Sequence, residues 1–169
     1  MIGYHSVSVL ADAVAKGLPL DKEEVLKAMV SSSTIPYLDG TGEYMEKGYV
    51  ALDHNGSAAS LTLEYAYDDW TIYHTALLAG NRSVADTYKK RAANYTNVFD
   101  TNMGYARPRY ADGRWKENFN LLNTHGEGFI EGNALNYSFY VPQDVDNMIR
   151  LMGGDKSFVS KLDSLFTMH

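Results

Sequence analysis

Apolar side chains recur three and four residues apart in run after run of this chain, and nowhere alternate with polar ones over a strand's length. That period places them on one face of a helix, so the chain is committed to helices that bury a stripe. Val7, Leu10, Ala11 and Val14 share a first face, and Gly17 follows as a C-cap. Asp21 and Glu24 have capping-box spacing, and Val25, Leu26, Met29 and Val30 form the stripe of the helix they open. Another helix covers 57–79, with Leu63, Ala66, Trp70, Tyr73 and Leu77 in register and Gly80 as its stop. Ser83 with Asp86 starts the next, carried by Val84, Tyr88, Ala92, Tyr95 and Phe99. Pro142 and Asp144 open one bearing Val145, Met148, Ile149 and Met152, which Gly153-Gly154 ends. Asp155 caps the last, with Phe158, Leu162, Leu165 and Phe166 turned inward.

The helices are joined alternately by tight turns and long connections. Residues 31–56 read as one irregular connection and 100–128 as a second, while 129–140 reads as helix or helix-like turn. Connections this long are more often functional than idle. Helical hairpins whose long loops carry the polar and aromatic residues suit an all-α, α/α-toroid architecture, with a pocket built by loops at one end. No fixed-period repeat argues for a solenoid. The 169 residues show no interior linker and are expected to form a single domain over 1–169.

A net charge of −6 without any basic run makes nucleic acid and anionic membrane surfaces poor partners. The chain has 0 cysteines, which removes disulfides and thiolate metal sites. No segment has the apolar length of a membrane span. Met1-Ile2-Gly3-Tyr4-His5 lacks the basic-then-apolar layout of a signal peptide, so none is expected in this chain. Tyrosine, at 13 residues against 6 Phe and 2 Trp, suits sugar contacts and the half-wet interior of a toroid equally.

Two stretches carry candidate chemistry. In Glu127–Val145, Glu131 stands between Ile130 and Gly132, with aromatic residues following. A carboxyl in apolar surroundings is disfavoured as an anion and can serve as a proton donor. The same residue can instead be a carboxylate satisfied by backbone amides or Asn133, with no catalytic role. Asn133 can orient a sugar hydroxyl or cap a turn. In Thr62–Trp70, Glu64 and Asp68 are four apart and share a helix face, with Asp69 beside them. Three such carboxylates suit a cation, sugar hydroxyls or acid–base work, or else form a solvated acidic face. Trp70 can stack on a sugar ring or fill the core. His5 precedes Asp12 on the first helix and, as a lone histidine, reads as structural; His54, His74, His125 and His169 show no metal-ligand spacing, and the loop holding Arg107, Arg109 and Arg114 reads as a solvated turn.

Several blocks then align in order with one family: Gly3-Tyr4-His5, Ala11-Asp12-Ala13, Gly48-Tyr49-Val50, Thr62–Trp70, Glu131-Gly132-Asn133, Val141-Pro142, Asp144-Val145 and Leu151–Gly154. The chain resembles the catalytic domain of glycoside hydrolase family 92, the calcium-dependent exo-α-mannosidases. The resemblance implies a partial (α/α)6 barrel with long loops, whose complete enzyme adds a β-sandwich, uses calcium and removes terminal α-linked mannose with inversion. It implies that Glu131 is the general acid. Glu64, Asp68, Asp69, Trp70, Asn133, Tyr137 and Asp144 would line or support the mannose pocket, with second-layer roles open to Glu64 and Asp144. A mannose-containing glycan is the implied partner, and a periplasmic or secreted parent protein the implied location.

Leu135, Asn136 and Gln143-Asp144 stand where that family usually carries Trp, Gln and a His-Asp pair. The family's base and much of its calcium site lie in motifs not found here. The chain is therefore expected to be part of a larger enzyme, inactive alone, with cut barrel faces available for self-association. A non-catalytic helical carbohydrate-binding or scaffold domain is the alternative that the departures at Leu135 and Gln143 motivate. A toroidal polysaccharide lyase would need a Tyr or His base near an Arg or metal.

Overall fold

The computed structural model describes residues 3–167. The Met1-Ile2 part of the leader reading and His169 lie outside those residues. Helices α1 (Ser6–Ala15), α2 (Lys22–Ser32), α3 (Thr41–Lys47), α4 (Ala58–Leu78) and α5 (Arg82–Arg91) come first. A 3-10 turn, Asn94–Val98, leads into an antiparallel hairpin of β1 (Phe99–Asp100) and β2 (Tyr105–Ala106). Then follow α6 (Ala134–Tyr137), α7 (Val145–Leu151) and α8 (Asp155–Thr167). The chain is thus mainly helical, as its periodicity requires. No helix among the described residues is long and apolar enough to cross a membrane.

The central element is α4, of whose 21 residues 15 are buried. It separates two cores. Leu61, Tyr65, Ile72 and Ala76 face one, with Val7 of α1, Leu26 and Met29 of α2, Tyr44 of α3 and Tyr88 of α5. Ala59, Leu63 and Ala66 face the other, with Tyr95, Val98, Phe99, Phe129, Val141, Met148 and Met152. A helix covered on both sides cannot show a single clean stripe, which is why Leu77, expected inward, ends partly exposed beyond both cores.

Burial of α4 takes Asp69 fully out of water, and a solvated acidic face is thereby ruled out for it and for Asp68. The hydroxyls of Tyr4 and Tyr44 donate to Asp69 at 2.7 and 2.9 Å, and Arg91 Nε donates at 2.9 Å. Arg91 Nη2 also reaches the Tyr4 hydroxyl at 3.0 Å. Burial pushes the Asp69 carboxyl up to about 6, while Arg91 and both tyrosines pull it down. One carboxylate therefore ties the N-terminal segment, α3 and α5 to α4.

Several boundaries differ from the sequence expectation. The connection 31–56 contains α3, bounded by the left-handed Gly40 and Gly48, too short for its period to show. At Gly40 a Cβ would lie 2.7 Å from Val50 Cγ1, so the turn admits no side chain. The α5 cap is Asn81 rather than Ser83, because the Asn81 side chain accepts from the Val84 amide at 3.1 Å. The stripe beyond Arg91 continues as a 3-10 turn that still buries Tyr95 and Val98. Only Ala134–Tyr137 of the 129–140 segment is helical. Asp155 is the first residue of α8, not its cap. Phe166, expected inward, is 81% exposed and Leu162 is exposed with it. Phe158 packs on Phe139 with ring centres 5.8 Å apart, and Lys161 sits 3.8 Å above the Tyr105 ring, but nothing described covers the opposite face of α8.

Removing one member of a buried ion pair strands the other charge. Arg91→Met should lower unfolding stability by roughly 3–5 kcal/mol in urea titration. Pairing it with Asp69→Asn should recover part of that loss. An unchanged urea midpoint in Arg91→Met would show that the network does not hold the helices together.

Candidate active site

Glu131 follows a segment that docks on the start of α4. The Gly128 carbonyl accepts from the Ala59 and Ser60 amides at 2.9 and 3.2 Å, serving as the cap that the Ser57 side chain does not supply. Phe129 then turns into the core, and the Ile130 amide donates to Ser60 Oγ at 3.1 Å. The backbone at Glu131 is left-handed, with φ of 51°. That turn leaves the Glu131 side chain exposed, so the apolar enclosure expected around it is not built by the described residues. No hydrogen bond from the described residues reaches its carboxylate.

Asn133 ends this turn as the N-cap of α6. Its side chain accepts from the Asn136 amide at 3.2 Å, and its own amide donates to Asn136 Oδ1 at 2.8 Å, a reciprocal capping box. Capping is thus a role that Asn133 fills. Three residues into α6, the Tyr137 hydroxyl donates to Glu64 Oε1 at 2.6 Å. Burial, then Glu64, hold the Tyr137 hydroxyl well above its ordinary range, so it stays a proton donor.

Glu64 belongs to a larger cluster. Its other oxygen lies 3.2 Å from His5 Nε2, and His5 Nδ1 lies 2.8 Å from Asp68 Oδ1. The Tyr4 amide closes the set on Asp68 Oδ2 at 3.0 Å. With a carboxylate on each ring nitrogen, His5 is a cation: the Asp68 bond first and the Glu64 bond second push it up to about 10. Burial raises the Asp68 carboxyl, against the pull of His5. Burial, then Glu64, also raise the Tyr140 hydroxyl. Glu64, Asp68 and Tyr137 therefore meet, and they adjoin the Glu131 turn.

The other expected site residues lie elsewhere. Asp69 is in the Arg91 network on a different face of α4. Trp70 stacks on Tyr67 at 6.1 Å and lines a groove of about 480 Å³ against α1, with His74 and Asp12. Asp144 accepts from the Tyr95 hydroxyl at 2.7 Å, within a second cluster that includes Asn147. Two members of the Glu131 surroundings, Ser60 and Tyr140, were not singled out from sequence, and His5, read there as a lone structural histidine, joins them. Ser60 was legible, since Ser60, Glu64 and Asp68 repeat every four residues along one face.

The described residues contain no group of three or more His, Asp or Glu side chains arranged to hold a metal. Glu64 and Asp68, the densest carboxylates, are committed to His5, Tyr137 and Tyr4. This set, among the described residues, does not fit a calcium ion.

The raised His5 pKa fixes a sign for pH dependence. A group whose folded pKa lies above its unfolded value stabilises the fold below the unfolded pKa. The His5 contribution is therefore complete below pH 6.5 and disappears as pH rises through about 10. The His5 ring protons, followed by NMR, should titrate near 10; titration near the ordinary histidine value would mean that the carboxylate bridge does not form.

The profile of the glycosyl hydrolase family 92 catalytic domain matches residues 1–169. A family GH92 alpha-mannosidase from Bacteroides thetaiotaomicron is 37% identical, with a TM-score of 0.95, over 100% of this chain and 22% of its own. The same enzyme in complex with mannoimidazole superposes with a TM-score of 0.96 at 36% identity, over 100% of this chain and 23% of its own. A family GH92 inverting mannosidase from that organism is 34% identical, with a TM-score of 0.91, over 98% of this chain and 23% of its own. An uncharacterized secreted glycosidase of Arthroderma benhamiae is 26% identical over 96% of this chain and 26% of its own length. The chain thus spans about a quarter, or less, of the relatives it matches. With the profile matched from end to end and the solved relatives superposing throughout, the chain belongs to glycosyl hydrolase family 92.

Proposed function

We propose that this chain is part of an inverting exo-α-mannosidase that removes terminal α-linked mannose from glycans, and that it supplies the general acid, Glu131. The observation that carries this reading is the match of the whole chain to the family, including a relative solved with mannoimidazole. The turn at Glu131 supports it, since an exposed carboxyl on an anchored backbone can reach a substrate oxygen. In the reaction Glu131 gives its proton to the glycosidic oxygen as the bond to the anomeric carbon breaks. Water attacks that carbon from the opposite face and gives its proton to a second carboxylate. Inverting enzymes set the two carboxyls about 6.5–9.5 Å apart to admit that water. Glu64 is tied to Tyr137 and His5, so the base is assigned to a part of the enzyme beyond these residues. Calcium likewise enters this reading only with the complete enzyme. The relative from Arthroderma, named as secreted, supports a secreted or periplasmic location.

One observation favours a second reading, a catalytically inactive carbohydrate-binding or scaffold domain. Both amide atoms of Gln143 are buried without a partner, at a position where the family usually carries histidine. Calorimetric titration separates the two: mannoside binding by the full-length protein without turnover, in the presence of calcium, favours the second.

In the full-length protein, Glu131→Gln should slow mannose release from an α-mannoside with a poor leaving group by about 10²–10⁴-fold. Proton NMR of the wild-type reaction should show β-mannose as the first product. Unchanged release by Glu131→Gln, or α-mannose first, would sink the assignment. The isolated chain should release no mannose, and its sedimentation coefficient should rise with concentration as copies associate through Val159, Leu162 and Phe166, all exposed on α8. Turnover by the isolated chain would show that it holds its own base, and a constant coefficient would remove the self-association.

A further inference from the structure

Among the described residues, Glu131 is one of three non-glycine residues with positive φ, at 51°. A left-handed backbone costs a residue with a side chain of order 1–3 kcal/mol and persists only where its surroundings hold it. The surroundings here are two fastenings on either side of the turn, both made to α4. Before the turn, the Ile130 amide donates to Ser60 Oγ at 3.1 Å, and the Gly128 carbonyl takes the Ala59 and Ser60 amides. Gly128 itself admits no side chain, since its φ is 81° and a Cβ there would lie 2.8 Å from Pro108 Cβ. After the turn, Tyr137 donates to Glu64 at 2.6 Å. Between them the Asn133–Asn136 capping box fixes the path of the chain.

Ser60 and Glu64 are four residues apart, so both fastenings sit on one face of one helix, about 6 Å apart along its axis. That helix is buried on two sides and does not yield. Glu64 is in turn held by His5 at 3.2 Å, and His5 by Asp68.

We propose that Ser60 and Glu64 are positioning residues, which clamp the two flanks of the Glu131 turn to α4 and so aim the Glu131 carboxyl at the substrate oxygen. Neither touches a reacting atom, and the role presupposes Glu131 as the proton donor. The chemical signature follows from what a general acid does. Protonation matters in proportion to how poor the leaving group is. An acid that is present but misaimed therefore behaves like one that is missing: turnover collapses on an alkyl mannoside and survives on an activated aryl mannoside. A merely structural defect lowers both together.

The test uses the full-length protein with methyl and dinitrophenyl α-mannosides as probes. Glu131→Gln sets the reference, with a large loss on the methyl substrate and a small one on the other. Glu64→Leu, which leaves no acceptor for Tyr137, should lose about 10²-fold in kcat on the methyl substrate, the scale of a misplacement of about 1 Å, with KM little changed and dinitrophenyl turnover near wild type. Tyr137→Phe removes the same hydrogen bond while leaving Glu64 with His5, so it should give the same selectivity, and the double variant should fall no further than either single. Ser60→Ala should speed amide hydrogen exchange at Ile130 without changing α5. Equal losses on both substrates, or no loss on either, would overturn the clamp, as would unchanged exchange at Ile130. If Glu131→Gln itself shows no leaving-group dependence, the acid assignment fails and the positioning role fails with it. If Glu131→Gln shows it and neither Glu64→Leu nor Tyr137→Phe does, only the clamp is lost.

Discussion

A fully buried carboxylate, Asp69, is the constraint around which the helices are arranged. An ion inside a protein is tolerated only when its partners are held in place. Here those partners come from three separate segments: Tyr4 before α1, Tyr44 on α3 and Arg91 at the end of α5. Satisfying one charge thus fixes where each segment lies against α4. Burial works against the Arg91 charge as well, and Asp69 with the surrounding tyrosines outweighs it. Such a network contributes less to net stability than to choosing one arrangement over others, since an apolar replacement of similar shape can be as stable.

Next to it, Asp68 performs a related task on another side of the same helix. It accepts the Tyr4 amide while Asp69 accepts the Tyr4 hydroxyl, so a single tyrosine registers the two clusters against each other. His5 then carries the arrangement from Asp68 to Glu64, and Glu64 carries it to Tyr137 in α6. A continuous path of polar contacts runs from the structural core to the turn bearing Glu131. One imidazolium stands between two carboxylates along it.

What could be read from sequence divides along physical lines. Long helices with a covered face, α1, α2 and α4, were legible because their period extends over many residues. Short α3 and the four-residue α6 were not, because they depend on glycines, on a capping box and on contacts made far away in sequence. In the site, the Glu64 and Asp68 pair was visible as a shared helix face. That this face is buried was not, since the same spacing describes a solvated acidic helix equally well. His5 could be read only as a lone structural histidine, because its meaning comes from two carboxylates about sixty residues later. Glu131 was located by its neighbours in sequence, but its exposure follows from a left-handed backbone that no composition reveals. The inward placement of Leu162 and Phe166 failed for a complementary reason: periodicity states which residues share a face, not whether anything covers it.

The contact between Arg91 and the Tyr4 hydroxyl spans 87 residues of chain. Until Arg91 has been synthesised, Asp69 has no cation to pair with, and the first residues have only part of their final partners. Contacts of such separation form late, because the loop-closure entropy must be met before they add any stability. On a ribosome the N-terminal segment would therefore lock last among the first five helices, after α5 has emerged and folded back along α4. The first described residues settle only after the middle of the chain has been made.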